Sequence, residues 1–275
     1  NNMKPMLART LGPKYKSYPC YVQPKLNGVR ALYQKGVFQS RDEKFWREEV
    51  LRHLTNELHG IDLGDLILDG ELYVHGWRLQ DINSAIAVNR LEVTPKTPQV
   101  CFYVFDVVDP KRTFSDRWFE VYNGLVAAGL PHVKAVPTNY AYDRNALDQS
   151  FNLYTATGYE GIMLRPDGFY EFGEHIGRNG TATQFRSRNL WKYKHWEDGE
   201  FLCVGVTQGE GKADIGIGAL SCGVGGLTFK VGTGFTDEER VEFMAHPPTG
   251  RLVKIRYLNL TADGIPFNPS FLCVM

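Results

Sequence analysis

The sequence changes texture at Lys194, and no other feature constrains the fold as much. Beyond it come short apolar alternations separated by glycine-rich turns, at residues 201–207, 219–224, 227–231, 252–257 and 270–274. Alternation over so few residues marks half-buried strands. Five such strands with one helical stretch at 237–244 fit a small Greek-key barrel of the OB type. Ahead of Lys194 the elements are longer and mixed. Strands are expected around residues 18–22, 30–34, 66–74 and 100–108. Helical spacing appears in Phe45, Val50, Leu51, Leu54 and Leu58, and again over 118–128 and 146–154. This mixture predicts an α+β domain with mainly antiparallel strands. His195-Trp196-Glu197-Asp198-Gly199 reads as a short polar linker, so the expected domains are 1–196 and 197–275. A chain of 275 residues is long enough for two cores, because single cores stop growing at roughly 250 to 300 residues.

A hydrophobic share of 43% with 23% charged residues is ordinary for a soluble globular protein. No apolar run approaches the roughly 20 residues of a membrane helix, and no signal-peptide pattern opens the chain. The expectation is a cytoplasmic protein that does not engage membranes, with Met3 as the natural start. Five cysteines are an odd, widely spaced set, which argues against a disulfide framework and against structural zinc. The formal net charge is zero, but its distribution is uneven. Residues 197–275 hold six Lys/Arg against ten Asp/Glu, and residues 1–196 hold 25 against 21. The basic surface is expected in the first domain, at Arg165, Arg178, Arg186, Arg188, Lys192 and Lys194.

In the run Gln23-Pro24-Lys25-Leu26-Asn27-Gly28-Val29-Arg30, a lysine is followed three residues on by Gly and five on by Arg. Such a run suits an amine poised to attack a phosphate, and equally suits a surface Lys and Arg flanking a turn at Asn27-Gly28. A lysine with the reference pKa of about 10.4 is almost wholly protonated at neutral pH. It becomes a nucleophile where burial or cationic neighbours favour the neutral amine. Later segments decide between the two readings.

Ser40-Arg41, Asp69-Gly70-Glu71-Leu72, Phe102-Tyr103-Val104-Phe105-Asp106, Glu160-Gly161-Ile162-Met163-Leu164-Arg165, and Arg186-Ser187 with Leu190-Trp191-Lys192-Tyr193-Lys194 follow the lysine run in order. Together with Lys4-Pro5-Met6-Leu7-Ala8, this ordered set resembles the nucleotidyltransferase motifs of ATP-dependent DNA ligases over nearly the whole chain. The likeness is to the minimal viral and phage type, which has only a nucleotidyltransferase domain and an OB domain. It implies an antiparallel-sheet, ATP-grasp-like first domain.

By the same resemblance Lys25 takes the nucleotide, and Lys192 and Lys194, two apart on a strand and on one side, contact the α-phosphate. Glu160 is a metal ligand, and Glu71 contacts ribose or metal. Phe105 stacks on adenine and Met163 closes its other face. Gln23, two residues before the nucleophile on the same strand face, reads the adenine edge. Arg30 holds the ribose, Arg41 receives the 5′-phosphate of a nick, and Arg186 and Arg188 contact DNA. Asp69 is expected to be a structural turn residue. Asp167-Gly168 with the glycines of 173–180 suggests a flexible loop leading to Arg186. Two departures stand out. Asn27 replaces the family's usual Asp, and strand alternation would project it beside Lys25. Phe271-Leu272-Cys273-Val274-Met275 carries none of the basic residues that many relatives use to orient pyrophosphate. The loop 209–218 is shorter than the DNA-encircling insertion of better-known viral members.

The implied activity is sealing of 5′-phosphate/3′-hydroxyl nicks in duplex DNA through a lysyl-AMP and an adenylylated 5′-phosphate. ATP and Mg²⁺ are the implied cofactors, with Mn²⁺ able to substitute, nicked duplex DNA is the implied partner, and the enzyme is expected to be monomeric. Alternatives are an RNA ligase or mRNA capping guanylyltransferase of the same superfamily, or a catalytically inactive nucleic-acid-binding module. The Arg186-Ser187 and Lys254-Ile255-Arg256-Tyr257 segments look more like DNA ligases than either related enzyme.

Overall fold

The structure, a computed structural model, describes all residues except 1–3, 12–14, 177–181, 210–215, 258, 262 and 268. Met3, Arg178 and most of the 209–218 loop therefore lie outside the described residues. The chain divides into two compact units, Asn1–Tyr193 and Lys194–Met275.

In chain order the first unit holds β1 (Leu7–Thr10), β2 (Cys20–Lys25), β3 (Val29–Gln34), β4 (Val37–Ser40), α1 (Glu48–His59), β5 (Leu68–Tyr73), α2 (Leu79–Ile86), β6 (Cys101–Val107), α3 (Phe114–Ala128), β7 (Val133–Ala135), β8 (Asn139–Ala141), α4 (Arg144–Ala156), β9 (Gly161–Arg165), the hairpin β10 (Glu174–Ile176) and β11 (Ala182–Gln184), and β12 (Arg186–Lys194). Two five-stranded sheets organise it, ordered β4-β3-β5-β6-β7 and β1-β12-β9-β2-β8. The sheets are mixed rather than purely antiparallel, because β7 runs parallel to β6 and β1 parallel to β12.

Each sheet has its own helical cover. Val50, Leu51, Leu54 and Leu58 form the buried stripe of α1, which joins Phe114, Trp118 and Leu125 of α3 and Ile82 and Ile86 of α2 on the first sheet. Leu147, Phe151 and Tyr154 of α4 pack on Val22, Ile162 and Leu164 of the second. Gly28 joins β2 of one sheet to β3 of the other. A Cβ there would stand 2.4 Å from the Leu72 carbonyl oxygen, so only glycine lets the chain pass this close to β5.

The second unit contains β13 (Glu197–Gln208), β14 (Ile217–Val224), β15 (Leu227–Val231), α5 (Asp237–Ala245), β16 (Leu252–Tyr257), the short pair β17 (Asn259–Leu260) and β18 (Pro266–Phe267), and β19 (Ser270–Val274). Its main sheet runs β15-β14-β13-β16-β19, with antiparallel neighbours. The Phe271 N–H donates to the Thr233 carbonyl at 2.8 Å, which brings β19 to the residues after β15 and curls the sheet around Leu220, Val231, Val253 and Ile255. A capping box between Thr236 and Glu239 starts α5.

The expected linker 195–199 is corrected. Glu197, Asp198 and Gly199 already pair with Tyr257, Arg256 and Ile255, because a polar stretch on a barrel strand satisfies its backbone in the ladder. Asp167-Gly168 is not a loose loop either. Asp167 accepts from the Ser115 N–H and hydroxyl, both at 2.8 Å, at the start of α3, and a Cβ on Gly168 would overlap Asn189.

Candidate active site

Between the two sheets of the first unit lies a cavity of 830 Å³. Gln23 and Lys25 reach it from β2, Met163 from β9 and Lys192 from β12. Arg30, Glu71 and Phe105 line it from β3, β5 and β6. Arg41 and Arg186 also line it, both as exposed side chains. The antiparallel register explains the central pair. Lys25 stands opposite Gly161 in the β2–β9 ladder, so Glu160, one residue before β9, meets its amine. Lys25 Nζ donates to Glu160 Oε2. Both side chains keep about a fifth to a quarter of their surface exposed, enough for a substrate to reach them. Burial pushes the Glu71 carboxyl up to about 7, although Arg30, Lys25 and the Gly28 N–H all favour its ionised form.

Beneath Phe105 the polar groups form a closed network. Arg30 holds Asp69 through two bonds of 2.6 Å, and the Tyr170 hydroxyl donates to the same carboxylate at 2.6 Å. Asp106 accepts from Arg117 at 2.7 and 3.0 Å and from Arg165 at 2.6 Å. Arg165 also donates to Gln23 Oε1 at 2.6 Å, while Gln23 Nε2 donates to the Phe105 carbonyl and to Thr138 Oγ1, both at 3.0 Å. The guanidiniums of Arg30 and Arg165 stand 4.8 and 5.2 Å from the Phe105 ring centroid.

Four expectations change here. Asp69 is no turn residue but a fully buried carboxylate inside β5. Arg165 is buried, not part of a basic surface, because β9 turns it onto Asp106. Gln23 lines the cavity, yet both of its amide hydrogens are committed within the protein, so its side chain does not offer them to a purine edge. Asn27 is exposed and off the cavity lining. The chain leaves β2 at Lys25, so strand alternation no longer applies two residues later.

Lys194 closes β12 and Arg188 is exposed on it, and neither lines the cavity. The β1–β12 ladder is interrupted between Ser187 and Trp191, opposite Ala8 and Arg9, the stretch that holds Arg188. Sequence reasoning missed Lys44, which lines the cavity beside Arg41. Their turn is closed by the Ser40 N–H on the Lys44 carbonyl and by Ser40 Oγ, which accepts from the Lys44 N–H. It also missed α2, whose Leu79 and Asn83 form part of the wall. The helical spacing of Leu79, Ile82 and Ile86 carried that signal. Among the described residues, no group of three or more His, Cys, Asp or Glu converges on a metal position.

Comparison with known proteins bears directly on this geometry. Residues 5–194 match the family described as "ATP dependent DNA ligase domain" and residues 208–274 that described as "DNA ligase OB-like domain". A DNA ligase of Haemophilus influenzae is 24% identical over 206 residues, covering 74% of this chain and 70% of that protein. A DNA ligase of African swine fever virus is 29% identical over 210 residues, 71% of this chain and 46% of its own length, so the chain spans under half of the viral relative. A solved Lig E DNA ligase superposes with a TM-score of 0.66 at 25% identity, covering 99% of both chains. The adenylate form of Chlorella virus DNA ligase gives 0.56 at 27%, over 100% of this chain and 99% of that one. With a family match that takes in every cavity-lining side chain from Leu7 to Lys192, the chain belongs to the ATP-dependent DNA ligases.

Proposed function

We propose that this ATP-dependent DNA ligase seals nicks through Lys25, and the observation that carries the reading is that Lys25 lines one cavity with Arg30, Glu71 and Lys192 while its amine pairs with Glu160, which lies just outside the lining. The Lys25 amine, after its ammonium gives a proton to solvent, attacks the α-phosphorus of ATP, forming a P–N bond and losing a second proton to solvent as pyrophosphate leaves. An oxygen of the nick's 5′-phosphate then attacks that phosphorus, returns the amine and creates an adenylylated 5′-end. The 3′-hydroxyl attacks the 5′-phosphate, and AMP departs. Splitting one condensation into three displacements replaces one difficult step with easier ones, the Lys25 nitrogen regaining a proton as it leaves in the second.

In the resting protein Glu160 accepts the hydrogen bond that Lys25 Nζ donates, holding the side chain at the cavity until a nucleotide arrives. Lys192 neutralises charge gathered on the phosphate. Phe105 and Met163 offer an aromatic ring and a thioether to the adenine, while Arg165 and Gln23 fix the backbone that bears Phe105. Arg30 approaches the ribose from its anchor on Asp69. Arg41 and Arg186 on the cavity wall, and Arg188 beside them on β12, take DNA phosphates.

Glu160 and Glu71 are hard oxygen donors of the kind Mg²⁺ prefers, and that ion needs only one or two carboxylates when phosphates complete its shell. These two residues would hold it, and it would supply charge neutralisation at the phosphates. Because one chain supplies the whole cavity lining, a monomer suffices. Five free cysteines suit a reducing cytoplasm. Among the described residues no helix is long and apolar enough to cross a membrane.

The test is incubation with α-labelled ATP, then with a nicked duplex. Label should appear on Lys25 and move to the 5′-phosphate, and Lys25→Ala should remain unlabelled while folded. Comparable labelling of the variant would sink the mechanism.

A further inference from the structure

The two candidate carboxylates come from different sheets, Glu71 from β5 and Glu160 from the residue before β9. Their separation therefore depends on what ties the sheets together. One tie is the Gln23–Phe105 and Arg165–Asp106 set already described. A second is His75, two residues past the end of β5. Its Nδ1 lies 2.9 Å from the Tyr73 hydroxyl and its Nε2 3.0 Å from the Thr157 carbonyl. A carbonyl only accepts, so Nε2 carries the hydrogen and Nδ1 accepts from Tyr73. The imidazole also rests on Tyr159, with centroids 4.6 Å apart.

Thr157, Gly158 and Tyr159 are the whole connection from α4 to Glu160. Gly158 has φ +91°, a conformation that favours glycine, and a Cβ there would stand 3.4 Å from His75 Nε2, in ordinary van der Waals contact. The Glu160 N–H then donates to the Lys25 carbonyl at 3.3 Å. Tyr73 is buried and gives the imidazole a fixed base, whereas His75 itself is exposed.

We propose that His75 is a positioning residue that braces β5, which carries Glu71, against the turn that delivers Glu160 to Lys25. The inference rests on the reading of those two carboxylates as the groups that face the reacting phosphate and its cation. His75 bonds neither carboxylate itself and acts through Tyr73 and the 157–159 turn.

The test uses the full chain as wild type, His75→Ala, His75→Gln and Glu160→Ala. Single-turnover lysyl-AMP formation at saturating ATP, the ATP concentration for half-saturation, and Mn²⁺ affinity of the protein holding the non-reacting analogue α,β-methylene-ATP by electron paramagnetic resonance are measured with the melting temperature. His75→Ala should form lysyl-AMP about tenfold more slowly and bind Mn²⁺ severalfold more weakly, with ATP half-saturation and melting temperature unchanged. His75→Gln, whose amide reaches as far as Nε2 and can donate to the Thr157 carbonyl, should restore most of both losses. If His75→Ala matches wild type while Glu160→Ala loses rate and Mn²⁺ affinity, the brace is wrong and the reading of Glu160 stands. If Glu160→Ala loses neither, the reading of Glu160 itself fails. A slow His75→Ala with a lowered melting temperature and no rescue by Gln would reduce His75 to packing and overturn the inference.

Discussion

Asp106 accepts hydrogen bonds from two guanidiniums, Arg117 and Arg165, and all three side chains are almost completely buried. Removing one member of such a set leaves charge in the interior with no partner, which costs about 3 to 5 kcal/mol. Asp106→Ala should therefore lose about that much stability in a denaturant titration. Replacing exposed Asn27 with Asp should change unfolding by less than about 0.5 kcal/mol, as is usual for a surface site away from special features. His53 supplies a pH dependence. Its Nε2 lies 2.8 Å from the Val100 carbonyl, and burial lowers its pKa, with the His132 ring nearby acting the same way and the Val100 bond and Glu57 opposing it. The unfolded chain then binds a proton that the folded one refuses, so this contribution to stability is present above the unfolded value of about 6.5 and is lost as pH falls below it. Melting temperatures of wild type and His53→Gln should be parallel at pH 7 to 8, and wild type should fall faster between pH 6.5 and 5. Parallel curves throughout would refute it.

Among elements, the β2–β3 connection is the least tolerant of change, because the nucleophile's strand must pass β5 at backbone distance. The Gly28 contact with the Leu72 carbonyl leaves no room for a methyl group. Gly28→Ala should destabilise the protein by about 1 to 3 kcal/mol through overpacking. It should also slow Lys25 adenylylation, since the strand end carrying Lys25 has to shift. Calorimetry and a single-turnover assay would check both. The α4–β9 turn and the Ser40–Lys44 turn differ in kind. They are closed by local hydrogen bonds and aim Glu160, Arg41 and Lys44 without being part of a sheet.

At the scale of the whole molecule, the surplus of basic residues lies in 1–196, so most phosphate neutralisation on DNA should come from the first unit. Nick affinity should fall with salt by roughly 0.9 log unit per phosphate contact for each log unit of salt, and Arg41→Ala should lower that slope by about 0.9. Unchanged slopes for Arg41→Ala and Arg186→Ala would remove both from the DNA interface. The division of the chain was legible in composition and period: alternation and turn glycines marked the barrel strands after Lys194, and the 3.6-residue spacing of Val50, Leu51, Leu54 and Leu58 marked α1. Ordered motifs likewise pointed to Lys25, Glu71 and Lys192, which line one cavity, and to Glu160, which meets Lys25, since each occupies a short stretch of distinctive residue types. Tertiary structure alone decided the partners. Asp69 became the anchor of Arg30, Arg165 turned inward to Asp106 and Gln23, and Asn27 turned out to solvent. Local sequence cannot specify such choices, because an arginine's burial depends on a carboxylate many residues away, and strand alternation fails wherever a strand ends or its register shifts.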